Sequence, residues 1–312
     1  LCAPAGGDLL FDESLPEQGR NFTTKMWNAF KLVKSWEVAD IEQPEHAHLA
    51  LEWFKNLISK VTETLNTQFD QYRISEALMT VYTTFRDEFS SWLLEIIKPA
   101  YGQPIDRKTY EQTVNLFEQL LQLLHPFMPF ITEEIWQTLR ERRAGESIMV
   151  SQLPAVEVYD EALLARFEAV KEIIVGIRNV RKQDNVPFKE TMELKVKASE
   201  RYPSAFASVI AKMGNLSGIE TVIDTLKGAR SFIVDTAEYF IPVSGQVNTE
   251  ELKSKLEEDL KYTRGFLESV MKKLGNEKFV QGAPAQVVTN ERKKQTDAEA
   301  KIAAIEAQLK GL

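Results

Sequence analysis

Residues able to do covalent or acid–base chemistry are few in this sequence, and they are poorly placed for it. Histidine occurs three times, at His46, His48 and His125, and cysteine once, at Cys2. A structural zinc site needs four nitrogen or sulfur ligands, so no metal site is expected, and a single cysteine leaves no disulfide framework. The carboxylate pairs Glu133–Glu134 and Glu257–Glu258 are chain neighbours in helical patterns. Their side chains therefore diverge instead of meeting at one substrate atom. Ala5–Asp8, AGGD, has two glycines but neither the P-loop nor the dinucleotide spacing. No catalytic residue is assigned.

Cations carry a stronger signal. The chain has net charge −8, yet residues 261–294 hold eight basic side chains against three acidic ones. The eight are Lys261, Arg264, Lys272, Lys273, Lys278, Arg292, Lys293 and Lys294. Fields of exposed charges fade over about 8 Å at physiological salt, so a local cationic surface survives on an acidic chain. RNA or another polyanion is its expected partner, although a helical hairpin also needs a charged exterior for solubility. Two weaker clusters precede it. GRNFTTKMWNAFKLV (Gly19–Val33) sets Arg20, Lys25, Asn28 and Lys31 beside an apolar stripe of Phe22, Met26, Ala29 and Phe30. IRNVRKQDNVPFKE (Ile177–Glu190) ends a helical pattern with Arg178, Arg181 and Lys182. Cations there satisfy a helix dipole as readily as they would grip phosphate.

The elements that must position these residues are mostly helical. With 312 residues, 44% of them hydrophobic, the chain can hold two or three domains with cores of their own. From about Asn21 to Arg143 it reads as four or five amphipathic helices forming a bundle. In one of them Ile74, Leu78, Val81, Phe85, Phe89, Trp92 and Ile96 form a single stripe. Pro99, Pro104, Pro126 and Pro129 separate the runs. A further helix, roughly Asp160 to Gln183, leads into short alternating stretches, MELKVKA, IETVI, SFIVD and EYFIPV. These read as strands, around a helix in YPSAFASVIAKMG closed by Gly214.

From Thr249 the spacing turns heptad: Leu256, Leu260, Thr263, Leu267, Val270 and Leu274, then Val288, Glu291, Gln295, Ala298, Ile302, Ile305 and Leu309. Two such arms around Gly282 and Pro284 predict an antiparallel coiled-coil hairpin, with arms of roughly 35 Å. Few apolar side chains are expected outside its seam. No apolar run approaches the roughly 20 residues that cross a bilayer. The opening LCAPAGGDLL lacks the basic region of a signal peptide and begins without methionine, so it is read as part of a longer polypeptide.

Four stretches, GRNFTTKMWNAFKLV, LLHPFMPFITEEIWQ, IRNVRKQDNVP and IPVSGQVNTEELKSKLEEDL…LGNEKFVQGAPAQVVTNERKK, resemble bacterial valyl-tRNA synthetases in the same order. The first two are shared with other class I synthetases for branched aliphatic amino acids. The closing segment separates the valine family from its isoleucine and leucine relatives, and the isoleucine enzyme's cysteine-rich zinc segment is missing.

The resemblance implies a mainly α fold. Residues 1–18 would be the tail of a catalytic domain, 19–150 an anticodon-binding helical bundle, 151–247 a small α+β unit and 248–312 a tRNA-binding coiled-coil arm. It implies tRNA contacts at Arg20, Lys25, Asn28 and Lys31, at Arg178, Arg181 and Lys182, and at the eight cations of the arm. The family's HIGH-type and KMSKS signatures and its editing domain have no match. The chain is therefore expected to hold no cofactor and to be inactive by itself, while ATP with Mg and valine belong to the rest of the enzyme. The expected setting is cytoplasmic and monomeric, with tRNA(Val) as partner and neither membrane nor DNA. A helical protein-interaction scaffold is the alternative of a different class.

Overall fold

The computed structural model describes residues 14–226, 228–242, 249–282 and 285–311. The expectations placed on residues 1–13 and Pro284, and on the side chains of Leu256 and Lys278, fall outside the described set. The protein is mainly α with a small α+β unit, and it divides into two compact units, Leu1–Phe167 and Glu168–Leu312.

The first unit is helical. It comprises α1 (Ser14–Lys34), a two-residue strand β1 (Val38–Ala39), α2 (Glu45–Asp70) and α3 (Ile74–Thr83). A π-helical segment, Thr84–Leu93, follows, then α4 (Leu94–Ile97), β2 (Ile105–Asp106), α5 (Arg107–Leu124) and α6 (Pro129–Leu139). Ser14–Gln18 thus belong to the first helix of this unit. α1 buries Phe22, Met26, Ala29, Phe30 and Val33, which is the stripe read from the sequence. β1 and β2 pair in parallel, and the Asp106 carboxylate then caps α5 by accepting from Thr109 N at 2.7 Å. Pro129 opens α6, where its missing N–H costs nothing.

The stripe through Ile74–Ile97 differs from expectation. Ala77, Val81, Phe85, Phe89, Leu93 and Ile97 are buried at every fourth position, with Thr84, Leu94 and the expected Ile96 buried beside them, while Ile74 is exposed and Trp92 only half-buried. Four residues of an α-helix turn about 400°, so a strict period of four drifts by about 40° per step. The i→i+5 winding of Thr84–Leu93 turns more slowly, so its drift runs the other way and offsets that of the flanking α-helical turns. Ser90 Oγ and Ser91 Oγ reinforce it by donating to the carbonyls of Phe85 and Arg86, five residues back, at 2.9 Å each. Phe85 and Phe89 pack with Phe117 of α5 at ring separations of 5.7 and 4.9 Å. Phe89 also meets Phe54 of α2 at 5.6 Å.

The division between the units falls inside α7 (Glu161–Gln183), whose first turn Asp160 caps by accepting from Ala162 N and Leu163 N. In the second unit, β3 (Met192–Lys197) is followed by α8 (Ala207–Gly214), β4 (Leu216–Val222), β5 (Ala229–Val234) and β6 (Ala237–Pro242). The sheet order is β4-β3-β6-β5; β3 and β4 are parallel across α8, and the other neighbours are antiparallel. Met192, Leu194 and Val196 point into the core, as their alternation predicts. Gly214 is not the residue that turns the chain out of α8. Asn215 takes the left-handed conformation, φ 49°, and Gly214 is small because a Cβ there would meet Ile177 of α7 at 3.2 Å.

α9 (Thr249–Leu274) and α11 (Ala285–Gly311) pack side by side. Arg264 meets Glu306 and Lys273 meets Glu291, so residue numbers fall on one arm as they rise on the other and the two helices are antiparallel. Thr263, Val270, Val288, Glu291, Ala298 and Ile305 are buried along the heptad positions. α9, with 26 residues, is about 39 Å long. The tip is more than the turn expected from the sequence. The chain leaves α9 at Gly275 and forms a short helix, α10 (Glu277–Gly282), before α11 begins.

Candidate nucleic-acid interface

On α1, Arg20, Asn28 and Lys31 share the solvent face, within about 80° of one another at 100° per residue. Arg20 holds Glu17 at 3.0 Å, and both side chains remain exposed. Lys25 sits at the edge of this face, half-buried, its Nζ donating to Ser91 Oγ at 3.4 Å. That contact draws it toward the π-helical segment and a group the sequence did not single out. There the Arg86 guanidinium lies 4.9 Å above the Tyr82 ring and pairs with Asp87 at 2.8 Å. The Phe22 ring, one turn before Lys25, meets Tyr82 at 4.6 Å. Arg86 and Tyr82 are four apart, and a basic–aromatic pair at that spacing was the available signal.

At the end of α7 the three cations separate. Arg178 and Lys182 are exposed on one face. Arg181 departs from the expectation: it is 6% exposed, and its guanidinium donates to the carbonyls of Pro187 (2.8 Å), Glu190 (2.7 Å), Gly214 (2.9 Å) and Asn215 (3.4 Å). Burial lowers its pKa from the usual arginine value, and four acceptors with no carboxylate on them hold the charge in place. Its side chain is spent on backbone and not offered to a phosphate. The sequence contained this information, because Ile174, Ile177 and Arg181 follow the three- and four-residue steps of the apolar stripe.

The arm's cations also divide by partner. Arg264 donates to Glu306 at 2.6 Å across the helical pair, and Lys293 reaches Asp235 at 3.6 Å. Asp235 occupies the two-residue turn between β5 and β6 at φ 52°. Lys294 donates to Glu291 Oε1 at 2.6 Å, and Lys273 lies 3.7 Å from Glu291 Oε2. Glu291 is 6% exposed on the seam, and the Lys294 hydrogen bond, joined by the charge of Lys273, lowers its pKa. Lys261, Lys272 and Arg292 are exposed and form no ion pair among the described residues. Lys278 lies in α10, its side chain outside the described set.

Exposed apolar side chains outside the seam are more numerous than expected: Tyr262 (76%), Phe266, Met271 and Val287. Tyr262 and Phe266, four apart, share a face of α9 that continues to Lys273. The base of the hairpin, α7 and β5 also line a half-open pocket of about 590 Å³. Its lining mixes Lys171, Glu172, Arg230, Glu258 and Lys301 with Phe232, a balance of signs unsuited to a polyanion.

Residues 52–198 match the family described as the anticodon-binding domain of tRNA ligase, and residues 248–312 match the valyl tRNA synthetase tRNA binding arm. The chain is 56% identical over its whole length to the valine–tRNA ligase of Phocaeicola vulgatus and 54% identical to that of Parabacteroides distasonis, covering 36% of each. The valine–tRNA ligase of Bacillus subtilis is 33% identical over 98% of this chain and 37% of its own length. The chain belongs to the valine–tRNA ligase family. It spans about a third of the length of these relatives and corresponds to their C-terminal part. Within that family framework, the α7 cations fall in the anticodon-binding match and the hairpin cations in the arm match. Arg20, Lys25, Asn28 and Lys31 precede both.

Proposed function

We propose that this chain is the tRNA-holding portion of a valine–tRNA ligase. In the whole enzyme, ATP with Mg and valine would be handled by polypeptide outside this chain, and the product would be valyl-tRNA(Val) made in the cytoplasm by a monomer. Residues 19–150 would receive the anticodon stem-loop on the α1 face, 151–247 would brace it, and 248–312 would lie along the outer corner of the folded tRNA. The observation that carries this reading is the match to a tRNA-binding arm on the same segment that concentrates cations on a stiff helical pair. Phosphate contacts from such a pair give grip and register, whereas unpaired bases read against side chains give identity.

Electrophoretic titration against tRNAs differing at the anticodon tests it. The expected result is retardation of tRNA at low ionic strength, strongest with the valine anticodon, and no valine-dependent pyrophosphate exchange. Failure to shift any tRNA would overturn the reading. The exposed Tyr262, Phe266, Met271 and Val287 support a second reading, a helical scaffold docking another protein. A captured partner that survives ribonuclease treatment would favour it.

A further inference from the structure

The loop that follows α7, Asp184–Glu190, is held more firmly than a surface connection needs to be. Arg181 donates to the carbonyls of Pro187 and Glu190 from inside the unit. Asn215 adds a second clamp, its Nδ2 donating to Phe188 O at 2.5 Å and Glu190 O at 3.3 Å. At the loop's start Arg230 donates to Asp184 Oδ1 from Nη2 at 2.6 Å and from Nε at 3.0 Å, and to Oδ2 from Nε at 3.2 Å, with both side chains largely buried. Asn185 accepts a left-handed backbone, φ 53°, and Val186 N closes on Arg181 O at 2.9 Å. Three side chains from three elements therefore fix seven residues.

What this scaffold displays is one aromatic ring. Phe188 is 60% exposed, with the Arg181 guanidinium 5.5 Å from its centroid on the inner side. Exposed cations lie close to it in sequence: Lys189 next in the chain, and Lys182 and Arg178 on one face of α7. Residues 178–190 contain four basic side chains against two acidic ones, and one of the acids, Asp184, is already spent on Arg230. A rigid loop loses little entropy on binding. A lone ring among cations offers too little area for a folded protein partner, which needs about 800 Å² a side. It does match an unpaired base, whose face stacks on the ring while its flanking phosphates meet the lysines.

We infer that Phe188 is a stacking platform for an unpaired nucleobase of the bound RNA, flanked by Lys182 and Lys189 and locked in place by Arg181 and Asn215. This rests on the tRNA-holding role proposed above and adds to it a contact on the α+β unit. Arg181 acts here as a positioning residue, which explains why an arginine is buried against backbone beside an exposed loop.

The test is tRNA titration of the full 312-residue chain carrying Phe188→Ala, Phe188→Leu or Phe188→Trp, with thermal melting of each variant alongside. Phe188→Ala and Phe188→Leu should weaken binding by about tenfold with the salt slope unchanged, and Phe188→Trp should retain it. Lys182→Gln with Lys189→Gln should instead flatten the log–log salt slope by roughly 1.5 units. Unchanged affinity in Phe188→Ala, or full retention in Phe188→Leu, overturns the platform while the broader role stands. An unaltered chain that binds no tRNA overturns both. Weaker binding that follows a lowered melting temperature in all three variants, Trp included, assigns Phe188 to packing and likewise overturns it.

Discussion

Arg181 and Lys182 are chain neighbours with opposite fates, and the reason is helical phase. One step of about 100° turns a cation from the solvent face into the stripe occupied by Ile174 and Ile177, where only backbone carbonyls await it. Counting basic residues could not separate the two, but placing them on the wheel of the apolar stripe could. Glu291 poses the converse case, a carboxylate on a heptad seam position that ought to be apolar. Its company explains it: Lys294 from its own helix and Lys273 from the opposite arm converge on its two oxygens. Because these lysines hold its pKa below the usual glutamate value, its contribution to stability is complete above about pH 4.3. That contribution is lost as pH falls through the lowered native value. Melting the chain and its Glu291→Gln variant from pH 7 to pH 3 should show the wild type ahead at neutral pH, with the gap closing on acidification. Parallel curves would refute the arrangement.

Among the elements, those with many repeats of one period were the most legible. The seam from Leu260 to Leu309 was readable because heptad spacing recurs on both arms, and the strand β3 because its buried residues alternate. The tip was not, since α10 has only six residues and its glycine reads as a turn. The π-helical segment was hidden for a subtler reason: Val81, Phe85, Phe89, Leu93 and Ile97 can be scored as a slightly irregular α-stripe, and Trp92 then takes the place of Leu93. The true spacing of four lies between the α and π periods, so it holds where the slower winding offsets the α-helical drift. Phe89 lies at its centre, fully buried against Phe54, Phe85 and Phe117, so this one side chain joins the segment to α2 and α5. Phe89→Ala should cost about 3–5 kcal/mol, read as a lower urea midpoint for the helical unit. A loss under about 1 kcal/mol would mean that the cluster repacks around the gap.

At the scale of the whole molecule the acidic balance and the proposed polyanionic partner pull in opposite directions. Residues 1–150 carry net −8 and residues 251–312 net +2, so long-range steering is weak and binding must depend on cations within a Debye length of phosphate. Not all eight cations of 261–294 are equal in this. Lys273 and Lys294 already neutralise Glu291, Arg264 is tied to Glu306 and Lys293 to Asp235. A cation released from an internal partner gains less from a phosphate, because the carboxylate it leaves must be resolvated, or in the case of Glu291 left buried and unpaired. Lys261, Lys272 and Arg292 have no such commitment among the described residues. Neutralising those three with glutamine should flatten the log–log salt dependence of tRNA binding by roughly two to three units. The pair Lys273→Gln and Lys294→Gln should change the slope by less than one unit and register mainly as a loss of hairpin stability. Equal flattening by the two sets, measured from 50 to about 200 mM salt, would show that internal ion pairing does not decide which lysines meet the RNA.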